Sequence, residues 1–241
     1  MFKREVQMKK SVMFALTTIL TLSLFTGMAL ADKYKPGTYK GSAVGYTKKK
    51  HPGKIEVEVT VDANNITDIK LVTYDQTTKD KKGKVNKQAK AVLKAKDEIP
   101  AKIKETQSLG VASIAKASRS SMGIELAVAQ ALEQATVKYK DGKYTGEAKG
   151  YNKKKHPGKI VVEVTVKGGQ VANIDIVTYD QTTKDKNGKV NKQAERVLKA
   201  QAEIPGKIVK AQSTAVDNVA KASMSSAGIR LAVARALEQA R

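Results

Sequence analysis

Cysteine and tryptophan are absent from the 241 residues of this chain, and only 5% of its residues are aromatic. Without a thiol the chain forms no disulfide and no thiolate metal site, and it offers no cysteine nucleophile. We therefore do not expect a bacterial lipoprotein anchor, which needs a cysteine just after the signal. The shortage of aromatic rings also argues against a large stacking surface, so we expect no nucleic-acid partner.

Acidic residues and histidines are scarce as well. The chain has 23 acidic and 45 basic residues, which gives a formal net charge of +22 at pH 7. A surface this basic attracts anionic partners: phosphate groups, acidic proteins, anionic cell-wall polymers or a membrane surface. His51 and His156 are the only histidines, and each lies in a lysine-rich segment. We expect both to be exposed loop residues rather than metal ligands, because a metal site needs several ligands together.

The N-terminus has the layout of a secretory signal peptide. A basic start (residues 3–10) is followed by an apolar run (residues 11–28) and by Ala29-Leu30-Ala31, a small-residue cleavage site. This order predicts that residues 1–31 form a signal peptide and that the mature protein is exported, to the periplasm or the cell exterior. The alternative is an uncleaved anchor helix that keeps the protein at the membrane, because the apolar run is about long enough to span a bilayer.

The rest of the chain is a tandem repeat. An offset of 105 residues links Tyr39 to Tyr144 and Ser118 to Ser223, and no insertion breaks it. Repeats of this length indicate duplicated globular domains, because the units of solenoids are shorter. We therefore predict one domain over residues 32–136 and a second over residues 137–241, joined by a very short linker.

Three strands are predicted at the start of each repeat. In the first copy, residues 54–61 alternate apolar and polar side chains, which is typical of a half-buried strand. Residues 37–46 and 66–74 flank it as further strands of an antiparallel β-meander. Gly41 and Gly45 in the first strand indicate either a bulge or a close ligand approach.

Helices are predicted after the strands. We expect one helix near residues 85–96, a short one near residues 100–105, and a final helix over residues 125–135, whose apolar stripe would pack on the sheet. The predicted fold class is therefore α+β: two duplicated domains, each an antiparallel β-meander packed against helices.

A hydroxyl-rich turn precedes the final helix in both copies. It reads AKASRSSMGI over residues 115–124 and AKASMSSAGI over residues 220–229. The first amides of a helix lack intrahelical acceptors and the helix dipole is positive there, so such a turn suits a phosphate group. Ser118 and Ser223 would meet that phosphate or be esterified to it. The alternative is that these serines only cap the helix.

Several segments are similar to one known domain. GTYKGSAVGY and GKYTGEAKGY, together with the strands GKIEVEVTV and GKIVVEVTV, look like its first half, and the AKAS segments with the apolar helices behind them look like its second half. On these segments, both repeats resemble the FMN-binding domain family. Its members include the flavin-carrying subunits of the sodium-pumping NADH:quinone oxidoreductase and of the Rnf complex. The resemblance covers nearly all of both repeats and implies that FMN is the cofactor.

The resemblance also implies where the flavin is held. The family's signature is D-x-x-[ST]-G-A-[TS]-x-[TS], and a flavin transferase joins FMN, drawn from FAD, to the last hydroxyl of its S-G-A-T core by a phosphoester bond. Carried over, the acceptors are Ser118 and Ser223. The remaining cofactor-binding positions are Ser120 and Ser225 (trailing hydroxyl), Ala117 and Ala222 (motif alanine), Lys116 and Lys221 (in place of glycine), and Asp217 (leading aspartate, where the first copy has Ala112).

The two lysines in place of glycine have structural and functional consequences. If the backbone there has a positive φ, Lys116 and Lys221 are strained, because glycine alone adopts that region freely. A lysine at this place either obstructs the transferase or adds a cation beside the phosphate.

Four tyrosines at strand ends are candidates for stacking on the isoalloxazine ring: Tyr46, Tyr74, Tyr151 and Tyr179. The alternative is that they close the edge of the core.

These observations predict an exported, non-catalytic electron-transfer flavoprotein. The FMN would be linked covalently to serine by a flavin transferase, and electrons would pass from a membrane redox donor to an extracytosolic acceptor. The basic surface would favour an acidic redox partner. The alternative is a flavin-free cationic module that binds an anionic polymer or a membrane surface, because both copies carry lysine in place of the signature glycine.

Overall fold

The computed structural model describes residues 31–46, 52–79, 83–85, 87–151, 158–184 and 187–241. Residues 1–30, which hold nearly all of the predicted signal peptide, lie outside the described residues, as do His51 and His156. Among the described residues, no helix is long and apolar enough to cross a bilayer.

Each repeat consists of three strands followed by two helices, and the two repeats have the same order of elements. The first repeat contains β1 (Gly37–Val44), β2 (Lys54–Val61), β3 (Ile66–Tyr74), α1 (Lys87–Thr106) and α2 (Ser118–Ala135). The second contains β4 (Gly142–Lys149), β5 (Lys159–Lys167), β6 (Gln170–Tyr179), α3 (Lys192–Ala211) and α4 (Ser223–Gln239). The α+β class and the duplication are therefore confirmed.

The strands of each copy form a separate antiparallel sheet, with β2 and β5 in the middle. The alternation predicted for the middle strand is confirmed: Ile55, Val57, Val59 and Val61 are at most 3% exposed, and the residues between them are half-buried. The buried face of the sheet packs against α2, which contributes Ile124, Leu132 and several alanines to the same core. The serine-bearing helix α2 thus packs on the buried face of β2.

The glycines of the first strand make room for this helix. A Cβ at Gly41 would lie 1.8 Å from the carbonyl oxygen of Ala127 in α2, and Gly45 lies against Gly123 of the same helix. The β1–β2 register runs without interruption, and the register shifts lie between β2 and β3 instead. The register excludes the proposed bulge at Gly41, and both glycines lie where the backbone of α2 comes close. A close ligand approach at these glycines stays a prediction.

Two of the helix boundaries also differ from the prediction. Residues 87–106 form one helix, α1, with Pro100 inside it, where we expected two. Proline removes one backbone hydrogen bond, but the stripe of buried residues passes through it from Val92 and Ile99 to Ile103, so packing on the core keeps the helix continuous. The last helix begins at Ser118 rather than at residue 125, and the serines therefore form its first turn.

The two repeats pack on each other through α2 and α4, and one carboxylate of each repeat accepts hydrogen bonds from the other repeat. The carboxylate of Glu133 accepts hydrogen bonds from the backbone N–H of Thr214 (3.1 Å) and from the hydroxyl of Ser213 (2.7 Å). At the equivalent place, the carboxylate of Glu238 accepts from the N–H of Leu109 (3.0 Å) and, at 3.2 Å, from the hydroxyl of Ser108. Reciprocal bonds of this kind place the serine-bearing helices of the two copies side by side.

Candidate functional site

The turn before each serine-bearing helix contains a residue in the left-handed region. Lys116 has φ 68° and Lys221 has φ 62°, so the strain predicted for a lysine at the signature glycine is present in both copies. A glutamine from the preceding helix holds each turn. Nε2 of Gln88 donates to the carbonyl oxygen of Lys116, and Nε2 of Gln193 donates to that of Lys221.

The first turn of α2 carries no side-chain cap. Its N-cap is Ala117, without a side-chain hydrogen bond to the helix, and Ala222 has the same role in α4. The interpretation of Ser118 and Ser223 as helix caps is therefore wrong: both are the first residue of their helix, and both are exposed. Because the first amides of a helix have no intrahelical acceptor, each turn offers N–H donors and a positive dipole end beside an exposed hydroxyl.

The trailing serines of the motif face the protein interior. Ser120 is 1% exposed, and its hydroxyl donates to Oε1 of Gln76 at 2.8 Å. In the second copy, Ser225 donates to Oε1 of Gln181 at 2.9 Å. These hydroxyls orient the first turn of the helix, and their predicted contact with the cofactor stays a prediction.

Gln76 connects three segments around the site. In addition to the bond from Ser120, its Oε1 accepts from the N–H of Tyr46 at 2.9 Å, and its Nε2 donates to the carbonyl oxygen of Gly53 at 2.8 Å. Gln181 makes the equivalent bonds in the second copy. Sequence reasoning did not include Gln76 among the predicted site residues. The available signal was the DQTT segment, which occurs in both copies as residues 75–78 and 180–183.

Asp217 lies on the exposed segment that precedes α4, and its counterpart Ala112 is exposed as well. Within the described part of the chain, Asp217 does not line the cavity around Ser223. Its predicted role rests on the resemblance to the family signature.

A cavity of about 380 Å³ opens beside Ser118. Its size is in the range of pockets that hold small molecules and cofactors. Thr77 contributes a hydroxyl, Oγ1, that is buried and has no hydrogen-bond partner among the described residues, and Thr182 repeats this feature in the second copy. The cavity is lined by Tyr46, Thr77, Gln88, Val92, Lys116, Ala117, Ser118, Arg119, Ser120, Tyr151 and Met224.

A second cavity, of about 360 Å³, opens beside Ser223. Within the described part of the chain, three residues belong to the walls of both cavities, and they come from both repeats: Arg119, Tyr151 and Met224. The second cavity is lined by these three and by Gln193, Lys221, Ala222, Ser223 and Ser225. The two candidate sites are therefore neighbours with a common wall.

The four candidate tyrosines divide into two pairs. Tyr46 and Tyr151 line the cavities. Tyr74 and Tyr179 instead donate their phenol hydrogens to backbone carbonyls of α1 and α3 at 2.8 Å. Burial raises the pKa of Tyr74 and of Tyr179 to about 12, so both phenols stay protonated donors. Tyr74 and Tyr179 therefore connect each sheet to the helix that follows it and lie at the edge of the core, as the alternative interpretation of these tyrosines predicted.

The residues around the first cavity fit a flavin mononucleotide in their chemistry. The uncapped helix start, Lys116 and Arg119 supply donors and positive charge for a phosphate group. Tyr46 supplies an aromatic surface, and the unpartnered hydroxyl of Thr77 supplies a hydrogen bond. An anionic group carrying an aromatic ring system is the class of ligand that this combination favours.

Comparison with known proteins agrees with this geometry. The model of the FMN-binding domain family matches residues 51–133 and again residues 156–238. The chain therefore belongs to the FMN-binding domain family and carries two tandem copies of its domain. FMN is the cofactor that this domain indicates, which makes the chain a flavoprotein. A comparison with curated proteins found no match.

Proposed function

We propose that this protein is an exported electron carrier with two FMN groups, each joined to a serine through a phosphoester, one at Ser118 and one at Ser223. The observation that carries the proposal is the exposed hydroxyl of Ser118 in the uncapped first turn of α2, at the wall of a cavity that also has Lys116 and Arg119. The repetition of this arrangement at Ser223 supports a cofactor in each copy.

The residues of each copy would divide the work of holding the cofactor. Backbone N–H groups of the first turn and the ammonium of Lys116 would bind the phosphate, because both are donors in a positive field. Gln88 would hold the left-handed turn, and Gln76 would hold the helix start against the sheet. Tyr46 would lie against the ring system, and Thr77 would offer its free hydroxyl to a polar atom of the ring or the ribityl chain.

Attachment requires a flavin transferase and FAD. The Oγ of the serine forms a bond to the phosphorus of the FMN half of FAD. The bond from that phosphorus to the bridging oxygen breaks, AMP leaves with the electron pair, and the hydroxyl proton passes to a base of the transferase. No electron is gained or lost by the flavin in this step. The chain's part is to present the Oγ of Ser118 or Ser223 outside the helix, where both residues are exposed.

The electron-relay function follows from the cofactor and the surface charge. When bound, FMN supplies one- and two-electron redox chemistry. The chain contributes the fixed environment of the two neighbouring cavities and a basic surface, because residues 32–241 carry +19 of the formal net charge of +22. A surface this basic would accelerate association with acidic redox partners at low ionic strength, and salt would screen the effect. We propose that the donor lies in the membrane and the acceptor outside the cytosol.

The test is the mass of the protein produced in an export-competent host together with a flavin transferase. The expected result is a chain that begins at Asp32 and carries two FMN groups. Ser118→Ala and Ser223→Ala should each lose one group, whereas Ser42→Ala, which removes an exposed hydroxyl from β1, should keep both. A chain without flavin in the presence of an active transferase would overturn the covalent proposal.

The second candidate function is a flavin-free cationic module that binds an anionic polymer or a membrane surface. The strained lysines at positions 116 and 221 favour it, because they take the place of the signature glycine in both copies. An unmodified protein that also retains no free FMN, yet binds anionic polymer in a salt-dependent way, would favour this candidate.

A further inference from the structure

The two serine-bearing helices differ at one position that faces both cavities. Arg119 follows Ser118 in α2, and Met224 follows Ser223 at the equivalent position of α4. Both side chains line the cavity beside Ser118 and the cavity beside Ser223. The first copy therefore brings a cation to the common wall, and the second copy brings an apolar thioether.

The two serine-bearing helices consequently contribute unequal positive charge to the common wall. Among the residues that the structure describes, one lysine lines each cavity: Lys116 in the first and Lys221 in the second. Because Met224 replaces an arginine, the second helix has no cation at this position. Among the described residues, Arg119 is the one arginine in the lining of either cavity.

The position of the Arg119 side chain is defined by an aromatic contact. Its guanidinium lies over the ring of Tyr46, 5.5 Å from the ring centroid, which is within the range of a cation–π interaction. Stacking occupies the face of the guanidinium and leaves the N–H groups at its edge available for hydrogen bonds. An arginine held in this way can donate to anionic oxygens on two sides.

From this geometry we propose that Arg119 is a phosphate-binding residue of both flavin sites, and that the second site depends on this residue of the first repeat. The proposal rests on the proposed function, in which each cavity holds the phosphate of one FMN. It implies that the two domains are not independent cofactor carriers. The domain around Ser223 would take its arginine from a helix that lies 105 residues earlier in the chain.

The test uses inorganic phosphate as the probe and the flavin-free protein of residues 32–241, with both domains, as the sample. The chemical shifts of the backbone amides of Ser118 and Ser223 report the two sites separately. Arg119→Gln should weaken phosphate binding at both amides by about fivefold, the effect expected for the loss of one exposed ion pair. In a Ser118→Ala background, Arg119→Gln should still weaken phosphate binding at Ser223, because Arg119 acts on the second site directly and not through the hydroxyl of Ser118.

Three further variants sharpen the result. Arg119→Lys should restore part of the affinity at both sites. Met224→Arg, added to Arg119→Gln, should restore binding at Ser223, because it gives the second helix a cation of its own. Lys70→Gln, which removes an exposed charge of β3 away from both cavities, should change neither site. Circular dichroism melts of each variant establish that the fold is retained.

A loss confined to the Ser118 amide would overturn the proposal, as would the absence of saturable phosphate binding at Ser223 in the unsubstituted protein. If the transferase leaves no flavin on either serine while the phosphate titration gives the expected pattern, the proposed function is wrong, and the role of Arg119 in phosphate binding at both sites is retained. Site-resolved masses of the peptides that contain Ser118 and Ser223 then serve as the second readout in flavin-loaded protein, where Arg119→Gln should lower incorporation at both.

Discussion

Glu125 of the first repeat and Arg235 of the second form an ion pair, with 2.7 Å between Oε2 and Nη2, in the interface between α2 and α4. Glu125 is fully buried, and its other carboxylate oxygen has no hydrogen-bond partner among the described residues. In the other repeat, Arg230 takes the place of Glu125 and Gln130 takes the place of Arg235. Arg230 donates to the carbonyl oxygen of Thr214 in its own repeat. The interface between the repeats is therefore asymmetric in charge.

The Glu125–Arg235 pair predicts a pH-dependent stability. Burial raises the pKa of Glu125 to about 7, although Arg235 acts in the opposite direction. A carboxyl group whose pKa is raised in the folded state contributes stability that is complete below its unfolded pKa and is lost as the pH rises through the folded pKa. The advantage of the unsubstituted protein over Glu125→Gln should thus shrink by up to about 3 kcal/mol between about pH 5 and pH 8.

Urea unfolding of both proteins across that pH range is the measurement. Subtracting the Glu125→Gln curve removes the contributions of other titrating groups, including Glu238, whose pKa burial also raises. Parallel curves at all pH values would show that Glu125 keeps one protonation state in the folded protein.

Gln76 should be essential for stability and for flavin attachment at the site around Ser118. Replacing it with alanine removes the acceptor of the Ser120 hydroxyl and the donor to Gly53, and both partners are buried. We expect a loss of about 3 kcal/mol in the free energy of unfolding, because buried polar groups are left without partners. Flavin incorporation at Ser118 should fall more than at Ser223.

The matched control is Gln181→Ala, which should have the opposite preference, since Gln181 makes the same bonds in the second copy. Thermal melts and site-resolved peptide masses distinguish the two variants. Equal losses at both serines in either variant would show that these glutamines act on the whole interface and not on their own sites.

The left-handed lysines permit charge and backbone strain to be separated. Lys116→Gly should stabilise the protein by up to about 1 kcal/mol, because it relieves a positive φ, an effect partly offset by the greater entropy of glycine in the unfolded chain. Lys116→Ala keeps the strain and should bring no such gain. Both variants remove the ammonium group, so both should weaken phosphate binding at Ser118 by about threefold.

Denaturant unfolding and the phosphate titration measure the two effects on the same samples. Stronger flavin incorporation in Lys116→Gly than in Lys116→Ala would assign the effect of the lysine to the backbone. Equal stability of the two variants would contradict the strain.

Gly41 should tolerate no side chain. Its Cβ would overlap the carbonyl oxygen of Ala127, so Gly41→Ala must displace α2 from the sheet, at a cost of about 3 kcal/mol. Gly206→Ala is the control, because open space surrounds Gly206 within α3 and alanine favours the helix by about 1 kcal/mol. Thermal melts should shift in opposite directions, and a neutral Gly41→Ala would mean that the helix sits farther from β1.

Much of the fold could be predicted because its signals are local. The alternation in β2, the apolar stripe of α2 and the offset of 105 residues are all readable without knowing a single contact. The helix boundaries were harder to predict from the sequence. Pro100 reads as a break in isolation, yet buried neighbours on both sides hold α1 together as one helix. The first turn of α2 is likewise held by a distant residue, because the hydroxyl of Ser120 bonds to Gln76, 44 residues earlier in the chain.

The sequence by itself determined the duplication, the strand and helix order, the basic charge and the serines of the candidate site, because each is a property of composition or of short-range spacing. Tertiary structure alone decided which residues surround those serines. Gln76 reaches the helix start, the glycines of β1 admit the helix backbone, and Arg119 meets both cavities because elements distant in the chain pack together. Such contacts depend on side-chain shape and on the angle between packed layers, which no local pattern records.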